Sequence, residues 1–146
     1  MAALTLACDT SFLISFYSEN EHTDHAARLI RRLRAPLQVT RFLDFEFVSG
    51  IHHAIFRGAI SEADSRNAFA RYSHDLATRH LNFAEMDLLD VLDTAKKLAI
   101  KHSGKGYRGF DIIHVAAALR LEATTFLTFD RNQQKLAVAE GLKSPW

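Results

Sequence analysis

LTLACDTSFLISFY, residues 4–17, passes from one hydrophobic pattern to another within a few residues. Residues 4–8 are a short apolar run that predicts a buried strand. Residues 12–17 are an apolar stretch that predicts a helix, and the polar residues Asp9, Thr10 and Ser11 join the two. A strand that leads directly into a helix is the opening unit of an α/β domain.

The same alternation continues along the chain. Helices are predicted at residues 23–33, 41–57, 61–79, 87–103, 110–121 and 130–140, and short strands at residues 37–40, 80–84 and 125–129. We expect Thr23 or Asp24 to cap the first of these helices. Alternating strands and helices predict an α/β fold with a central parallel sheet of about four or five short strands, sandwiched by helices.

Composition fits a single globular domain spanning residues 1–146. The chain has 18 Lys and Arg against 17 Asp and Glu, which gives a formal charge of +1. Bulk charge therefore does not indicate a nucleic-acid binder, and any such contact must come from a local patch.

Cysteine content and hydropathy indicate the cellular compartment of the protein. Cys8 is the single cysteine, which excludes an internal disulfide and favours a reducing environment. The apolar start of the chain lacks the basic segment of a signal peptide and is interrupted by Asp9. No segment reaches the length of a membrane span. We therefore expect a cytoplasmic protein.

Acidic residues stand where the first and last predicted strands end. Asp9 follows the first strand and Asp130 follows the last, and ligands of parallel sheets bind outside the carboxyl ends of strands. A simpler interpretation is also open. Asp9, Asp111 and Asp130 each lie at the start of a predicted helix, where Asp is a favoured N-cap.

Glu46 is the acid that capping does not explain. It lies inside a predicted helix, among Phe45, Phe47 and Val48. A carboxylate buried there needs a cation or hydrogen-bond donors, whereas an exposed Glu on a solvent-facing stripe is the alternative. Asp111 opens a helix so apolar that it should lie in the core, so its side chain is expected to point into a pocket.

Four segments together resemble the motifs of PIN domains, and in particular of VapC-like toxins. Residues 6–16 contain Asp9-Thr10-Ser11 after a hydrophobic strand, and residues 46–51 read EFVSGI. The third and fourth segments are FDIIHVA at residues 110–116 and FLTFDR at residues 126–131. The resemblance spans nearly the whole chain, with the acids in the same order. We call Asp9, Glu46, Asp111 and Asp130 the four acids.

The resemblance implies an endoribonuclease that uses Mg²⁺ or Mn²⁺, held by the four acids, to hydrolyse RNA with a metal-activated water. It also implies a cognate antitoxin as partner and a homodimer. Residue chemistry agrees independently, because hard divalent cations prefer carboxylate oxygens and the chain has no Cys/His zinc pattern.

Polar neighbours of the four acids are candidates for supporting roles. Thr10, Ser11 and Thr128 adjoin the acids and can orient carboxylates or waters. Local backbone hydrogen bonding is their alternative role. Arg108 and Arg131 flank the later acids and are candidate phosphate contacts, with a solvated surface role as the alternative.

One histidine and a group of phenylalanines receive structural interpretations. His114 is one helical turn from Asp111, and we expect it to be a partly buried, hydrogen-bonded side chain. Core or dimer packing, rather than base stacking, is predicted for four aromatic residues: Phe42, Phe45, Phe47 and Phe56.

Other functions on α/β folds remain as alternatives. A dehalogenase-like phosphatase needs a second Asp two residues after the nucleophile, and Ser11 stands there. A receiver domain needs adjacent acids near the first strand, which are absent. The remaining rival is a catalytically inactive PIN-like scaffold. Degenerate members of that kind should have lost acids, whereas this chain keeps all four.

Overall fold

The fold alternates short strands and helices from end to end. We describe it from a computed structural model over residues 3–145. The elements in chain order are β1 (Leu6–Cys8), α1 (Thr10–Tyr17), α2 (Thr23–Leu33), β2 (Leu37–Val39), α3 (Arg41–Phe56), α4 (Glu62–Ala77), β3 (Leu81–Phe83), α5 (Leu88–Lys101), α6 (Gly109–Arg120), β4 (Thr125–Leu127) and α7 (Arg131–Ala139). The predicted domain also includes Met1, Ala2 and Trp146, which lie outside the described residues. Within residues 3–145, none of the helices combines the length and the hydrophobicity that a membrane span requires.

The sheet has four parallel strands in the order β3-β2-β1-β4. Leu6 of β1 pairs with Leu37 of β2 on one side and with Thr125 of β4 on the other. The predicted parallel α/β sheet is therefore confirmed, at the lower of the two expected strand counts.

Helices cover both faces of the sheet, as predicted. Leu6 and Cys8 face a core formed with α1, α2, α3 and α4, and Ala7 between them faces a second core formed with α5, α6 and α7. Because both faces are buried, the strand is apolar throughout instead of alternating apolar and polar residues. Cys8 packs in the first core, where burial raises the pKa of its thiol.

Strand order determines where the functional residues meet. The chain runs from β1 outward to β2 and β3, and then returns to β4 on the other side of β1. The order therefore reverses between β1 and β4, which is the switch point where such sheets bind ligands. Asp9 and Thr128 are the first residues beyond these two strands, and Asp9 N donates to Leu127 O at 3.2 Å.

The beginning of α1 differs from the prediction. β1 starts at Leu6 instead of residue 4, and Leu4 is exposed. The helix starts at Thr10 instead of Phe12, because the Asp9 carboxylate caps it directly after the strand.

The predicted cap of α2 is wrong. His22 occupies the cap position and makes no side-chain capping bond. The hydroxyl of Thr23 accepts from Asn20 N at 2.9 Å and donates to Ser18 O at 3.0 Å. Thr23 therefore stabilises the turn before the helix, while Asp24 lies within the first helical turn.

The four phenylalanines do not share one environment. Phe47 is fully buried and Phe42 is half-buried, whereas Phe45 is 68% and Phe56 85% exposed. The core interpretation is therefore wrong for Phe45 and Phe56, because they lie on the outer side of α3. Dimer packing stays a prediction for these two residues.

Gly50 allows α1 to approach α3 closely. A Cβ added at Gly50 would lie 2.8 Å from Cδ1 of Ile14, so any larger residue requires Ile14 to move. The contact is one helical turn from Glu46, and it brings the start of α1 within bonding distance of that residue.

A polar cluster joins the ends of α5 and α7. Lys101 Nζ and His102 Nε2 each lie 2.8 Å from Oε2 of Glu140 and donate to it. Partial burial acts to raise the pKa of Glu140, but the two donors and their charges outweigh burial, so this pKa lies below its ordinary value.

Candidate active site

Asp9 is a buried carboxylate at the end of β1, with 4% of its surface exposed. Its Oδ1 accepts from Phe12 N at 3.0 Å, which caps α1, and its Oδ2 accepts from Thr128 Oγ1 at 2.6 Å. Ser11 Oγ lies 2.8 and 2.9 Å from the two oxygens. Asp9 therefore both caps a helix, as one interpretation predicted, and joins the ends of β1 and β4.

Burial raises the pKa of Asp9. Hydrogen bonds from Thr128, Phe12 and Ser11 act in the opposite direction without reversing the shift. The donors are neutral hydroxyl and amide groups, so the ionised carboxylate remains incompletely compensated. A nearby cation would supply the missing charge.

Glu46 connects three helices at the same edge of the sheet. Its Oε1 accepts from Thr10 Oγ1 of α1 at 2.7 Å and from Nε2 of His114 on α6. The same imidazole nitrogen lies 3.3 Å from Thr10 Oγ1. Glu46 is half-buried and bonded, so the alternative of an exposed surface Glu is wrong.

Glu46 differs electrostatically from Asp9. Partial burial acts to raise its pKa, but the hydrogen bonds from His114 and Thr10 and the charge of His114 outweigh burial. The pKa of Glu46 is therefore lowered, and its carboxylate is ionised at neutral pH with both donors on Oε1.

Asp111 lies in the first turn of α6 but is not its N-cap. The helix begins at Gly109, with Arg108 at the cap position. The capping interpretation is therefore wrong for Asp111. The helix is buried along most of its length, as predicted, while Asp111 itself is partly buried.

Charges from three elements act on Asp111. Burial raises its pKa most, and the negative charge of Asp130 raises it further, as does that of Glu46. Positive charge on His114 and Arg108 opposes the rise without cancelling it. Asp111 therefore lies within electrostatic reach of two other acids.

Asp130 is exposed and caps α7, as the capping interpretation predicted. Its Oδ1 accepts from Asn132 N at 2.9 Å and from Gln133 N at 3.2 Å. The backbone N–H of Asp130 donates to Thr128 Oγ1 at 2.9 Å, and the same hydroxyl donates to Asp9. Thr128 thus links Asp130 to Asp9.

His114 lies close enough to Asp9, Glu46 and Asp111 to affect all three electrostatically. Its ring is buried, and positive charge on it acts to lower the pKa of Asp9, Glu46 and Asp111. The predicted hydrogen bond of His114 is confirmed, but the ring is buried instead of partly buried, and its partner, Glu46, was not foreseen from the sequence.

The donor chemistry suits a hard divalent cation, but the ligand set is not preassembled. Within residues 3–145, no three His, Cys, Asp or Glu side chains are arranged so that they could together hold a metal ion. Oε1 of Glu46 is engaged by Thr10 and His114, and both oxygens of Asp9 face hydroxyl donors. Carboxylate oxygens nevertheless match the preference of Mg²⁺ and Mn²⁺. A cation would therefore have to compete with these hydrogen bonds.

The predicted supporting residues have different partners. Ser11 contacts Asp9, the acid that it adjoins in the sequence. Thr128 accepts from the backbone N–H of its neighbour Asp130 and also donates to Asp9, which was not predicted. Thr10 instead bonds Glu46, on another helix. The charge of Arg108 acts on Asp111.

Arg131 lines an open cleft between α2 and α7 that sequence reasoning missed. His22 and His25 lie on the opposite side of this cleft. The two histidines are far from Arg131 in the sequence, so no pattern of neighbouring residues could predict that they line the same cleft. Arg131 contact with phosphate stays a prediction.

Comparison with known protein families matches residues 6–139 to the PIN domain. A comparison with curated protein sequences finds no significant match.

Solved structures share the fold at low sequence identity. VapC20 of Mycobacterium tuberculosis, described as a toxin that cleaves the sarcin-ricin loop, is 17% identical with a TM-score of 0.69, over 95% of this chain and 97% of its own. VapBC2 of Rickettsia felis, bound to a DNA fragment from its promoter, is 14% identical with a TM-score of 0.66, over 97% of this chain and 98% of its own. A Pyrobaculum aerophilum protein is 16% identical with a TM-score of 0.64, over 97% of this chain and 89% of its own.

Proposed function

Because this chain belongs to the PIN domain family, we propose that it is a metal-dependent endoribonuclease that hydrolyses RNA phosphodiester bonds. The observation that carries the proposal is the linkage of the four acids at one edge of the sheet. Thr128 connects Asp9 to Asp130, and charge interactions connect Asp111 to both Asp130 and Glu46. The family match favours this function over the phosphatase and receiver alternatives, which belong to other families.

In this proposal Asp9, Glu46 and Asp111 hold Mg²⁺ or Mn²⁺, directly or through water. Asp130 completes the site or helps to hold a second ion. When bound there, such an ion would lower the pKa of a water, help to position the phosphate and offset charge on the leaving oxygen. The raised pKa values of Asp9 and Asp111 support this assignment, because the positive charge near these carboxylates does not offset their burial.

Neighbouring side chains keep the carboxylates in place. Ser11 and Thr128 donate to Asp9, which holds this carboxylate toward the switch point. Thr10 and His114 do the same for Glu46. Fixing the orientation of ligands before the cation arrives is the usual role of such donors around metal sites.

Arg108 and Arg131 are the proposed phosphate contacts. Both are exposed, and each is close in sequence to one acid of α6 or α7. A guanidinium group suits this role because its N–H donors match the geometry of phosphate oxygens.

Asp9→Asn and Asp111→Asn test the proposal most directly. Each substitution removes a charge at nearly constant shape, so Mn²⁺-dependent RNA cleavage should be lost while circular dichroism shows a folded protein. Asp93→Asn is the matched control, since Asp93 is exposed on α5. Full cleavage by both site variants would refute the assignment.

The catalytically inactive scaffold is the second candidate. One observation favours it, namely that no three ligands within residues 3–145 are preassembled for a metal. The same assay separates the two functions, because a scaffold predicts no cleavage by the wild type at any Mg²⁺ or Mn²⁺ concentration.

We further propose that the chain is the toxin of a toxin–antitoxin pair, acts in the cytoplasm and forms a homodimer. The shared fold with VapC20 and VapBC2 supports the toxin role. The exposed Phe45 and Phe56 support a protein–protein contact. Sedimentation equilibrium tests the dimer, and a growth assay with and without the product of an adjacent short reading frame tests the antitoxin.

A further inference from the structure

An open cleft of about 480 Å³ lies between the start of α2 and α7. His22 and His25 line it from α2, and Arg131 and Lys135 line it from α7. Phe129 lies between the two helices. The cleft is large enough to hold a nucleotide-sized group, and its lining combines rings with cationic side chains.

Three rings form a continuous stack from the core to this cleft. Phe12 is fully buried and stacks on Phe129, with ring centroids 5.6 Å apart and planes at 16°. Phe129 in turn stacks on His22 at 4.3 Å and 11°. His22 ends the stack with 43% of its side chain exposed. The core thereby holds a flat ring in a fixed orientation at the surface.

The charge of the cleft is positive. Arg131 and Lys135 contribute two permanent cations, and among residues 3–145 no Asp or Glu side chain lines the cleft. Glu21, 3.4 Å from His22 Nε2, is the acid paired with the outer ring. Flat rings beside cations form the combination that binds single-stranded nucleic acid without reading its sequence.

The cleft is continuous with the candidate active site. Thr128 lines the cleft and also donates to Asp9, and Phe129 N donates to Ser11 Oγ at 3.4 Å. Asp130 follows directly in the chain. Residues of the segment from Thr128 to Arg131 therefore line the cleft, and the same short segment contacts Asp9 and contains Asp130.

We propose that this cleft binds the single-stranded RNA that flanks the scissile phosphate. One base continues the ring stack on His22, and Arg131 and Lys135 contact the phosphates on either side of that nucleotide. The inference rests on the proposed ribonuclease function and adds to it the path by which the substrate strand leaves the four acids. RNA is favoured over an acidic protein segment because a fixed, flat stack recognises bases and has no counterpart in a peptide of Asp and Glu.

Fluorescence polarisation with a labelled oligouridylate, measured in chelator so that no cleavage occurs, tests the cationic half of the proposal. The Arg131→Gln/Lys135→Gln double variant should bind more weakly. The slope of log K against log salt should also fall by about 0.7 for each phosphate that the variant no longer neutralises. The Lys96→Gln/Lys97→Gln double variant is the matched control. It removes the same charge from exposed positions on α5, so its slope should equal that of the wild type.

A pair of substitutions at His22 tests the stacking half. His22→Ala should weaken oligouridylate binding by about fivefold or more, since base stacking on a ring is removed. His22→Phe keeps the flat surface without the imidazole and should restore most of the affinity. Thermal melts of each variant verify that the protein stays folded.

Distinct results separate this inference from the proposed function. If the wild type cleaves RNA with Mn²⁺ but the cleft variants bind oligouridylate as tightly as the control, the inference is wrong and the nuclease function stands. If the wild type binds through the cleft but never cleaves, the nuclease function fails and the RNA-binding cleft stands. Undetectable oligouridylate binding by the wild type overturns the inference. Weaker binding of the cleft variants to a labelled poly-glutamate peptide, with RNA binding unchanged, overturns RNA as the occupant.

Discussion

Asp111→Asn should stabilise the metal-free protein and remove most of the stabilisation that Mn²⁺ gives to the wild type. Burial and the charge of Asp130 raise the pKa of Asp111 in the folded protein. A raised pKa means that the ionised carboxylate costs free energy on folding. This cost is absent below the pKa of the unfolded chain and develops fully as the pH rises through the folded pKa. Asparagine carries no charge, so the variant avoids the cost at neutral pH.

The partial exposure of Asp111 limits how much Asp111→Asn should stabilise the metal-free protein. Asp111 is only partly buried, so solvent screens its interactions and the gain should be about 0.5–1 kcal/mol. With an unfolding entropy of about 2.1 cal/mol/K per residue, a chain of 146 residues has about 0.31 kcal/mol/K. The Tm of the variant should therefore rise by about 2–3 °C in chelator.

Mn²⁺ should raise the Tm of the wild type by more than the substitution raises the Tm of the metal-free protein. Mn²⁺ at a hundredfold excess over its Kd stabilises a folded site by about 2.7 kcal/mol. The same entropy converts this to about 9 °C for the wild type. Asp111→Asn lacks one proposed ligand, so most of this rise should disappear.

Thermal melts by circular dichroism, in chelator and in millimolar Mn²⁺, measure both quantities. Asp93→Asn controls for removing any one negative charge, and its Mn²⁺ response should match the wild type. The pH dependence gives a second reading, since the advantage of the Asp111 variant should shrink as the pH falls through the folded pKa. An unchanged wild-type Tm in Mn²⁺, together with a variant no more stable than wild type, would refute a shared metal site.

Three further substitutions test separate parts of the molecule. His114→Ala should weaken Mn²⁺ affinity or cleavage by about 10- to 100-fold, because Glu46 loses its orienting donor; tighter Mn²⁺ binding in a titration would contradict this role. Asp130→Asn should reduce cleavage less, with recovery at higher Mn²⁺, and an effect as severe as that of Asp9→Asn would show that Asp130 is a principal ligand. Glu140→Gln should lower the free energy of unfolding by about 1 kcal/mol at neutral pH. Because the folded pKa of Glu140 is lowered, urea titrations should show this difference vanish as the pH falls through it.

Features that depend on neighbouring residues were predictable from the sequence. Asp9 and Asp130 follow buried strands, and the rule for parallel sheets is enough to place both at the carboxyl ends of those strands. Capping of α1 and α7 by these two residues is equally local. The predicted helices and strands were correct to within a few residues for the same reason.

Contacts between distant residues were not predictable. The bonds of Glu46 to Thr10 and His114 cross 36 and 68 positions of the chain, and nothing in the local pattern specifies them. The exposure of Phe45 and Phe56 was missed because an apolar helix face reads the same whether it packs in a core or remains exposed. The cleft between α2 and α7 depends on two helices that no local pattern brings together.

Three of the four acids differ in the direction of their pKa shifts, and therefore in how much each would gain from a cation. Asp9 and Asp111 have raised pKa values because nearby positive charge does not offset their burial, whereas Glu46 has a lowered pKa and is already bonded to His114. The gain from a divalent cation therefore comes mainly from Asp9 and Asp111, because it offsets the burial of both carboxylates and the repulsion that Asp130 and Glu46 exert on Asp111. Glu46 gains less, because hydrogen bonds from Thr10 and His114 already stabilise its charge. These bonds hold Oε1 of Glu46 in place, so Glu46 orients the site while Asp9 and Asp111 supply most of the free energy of cation binding.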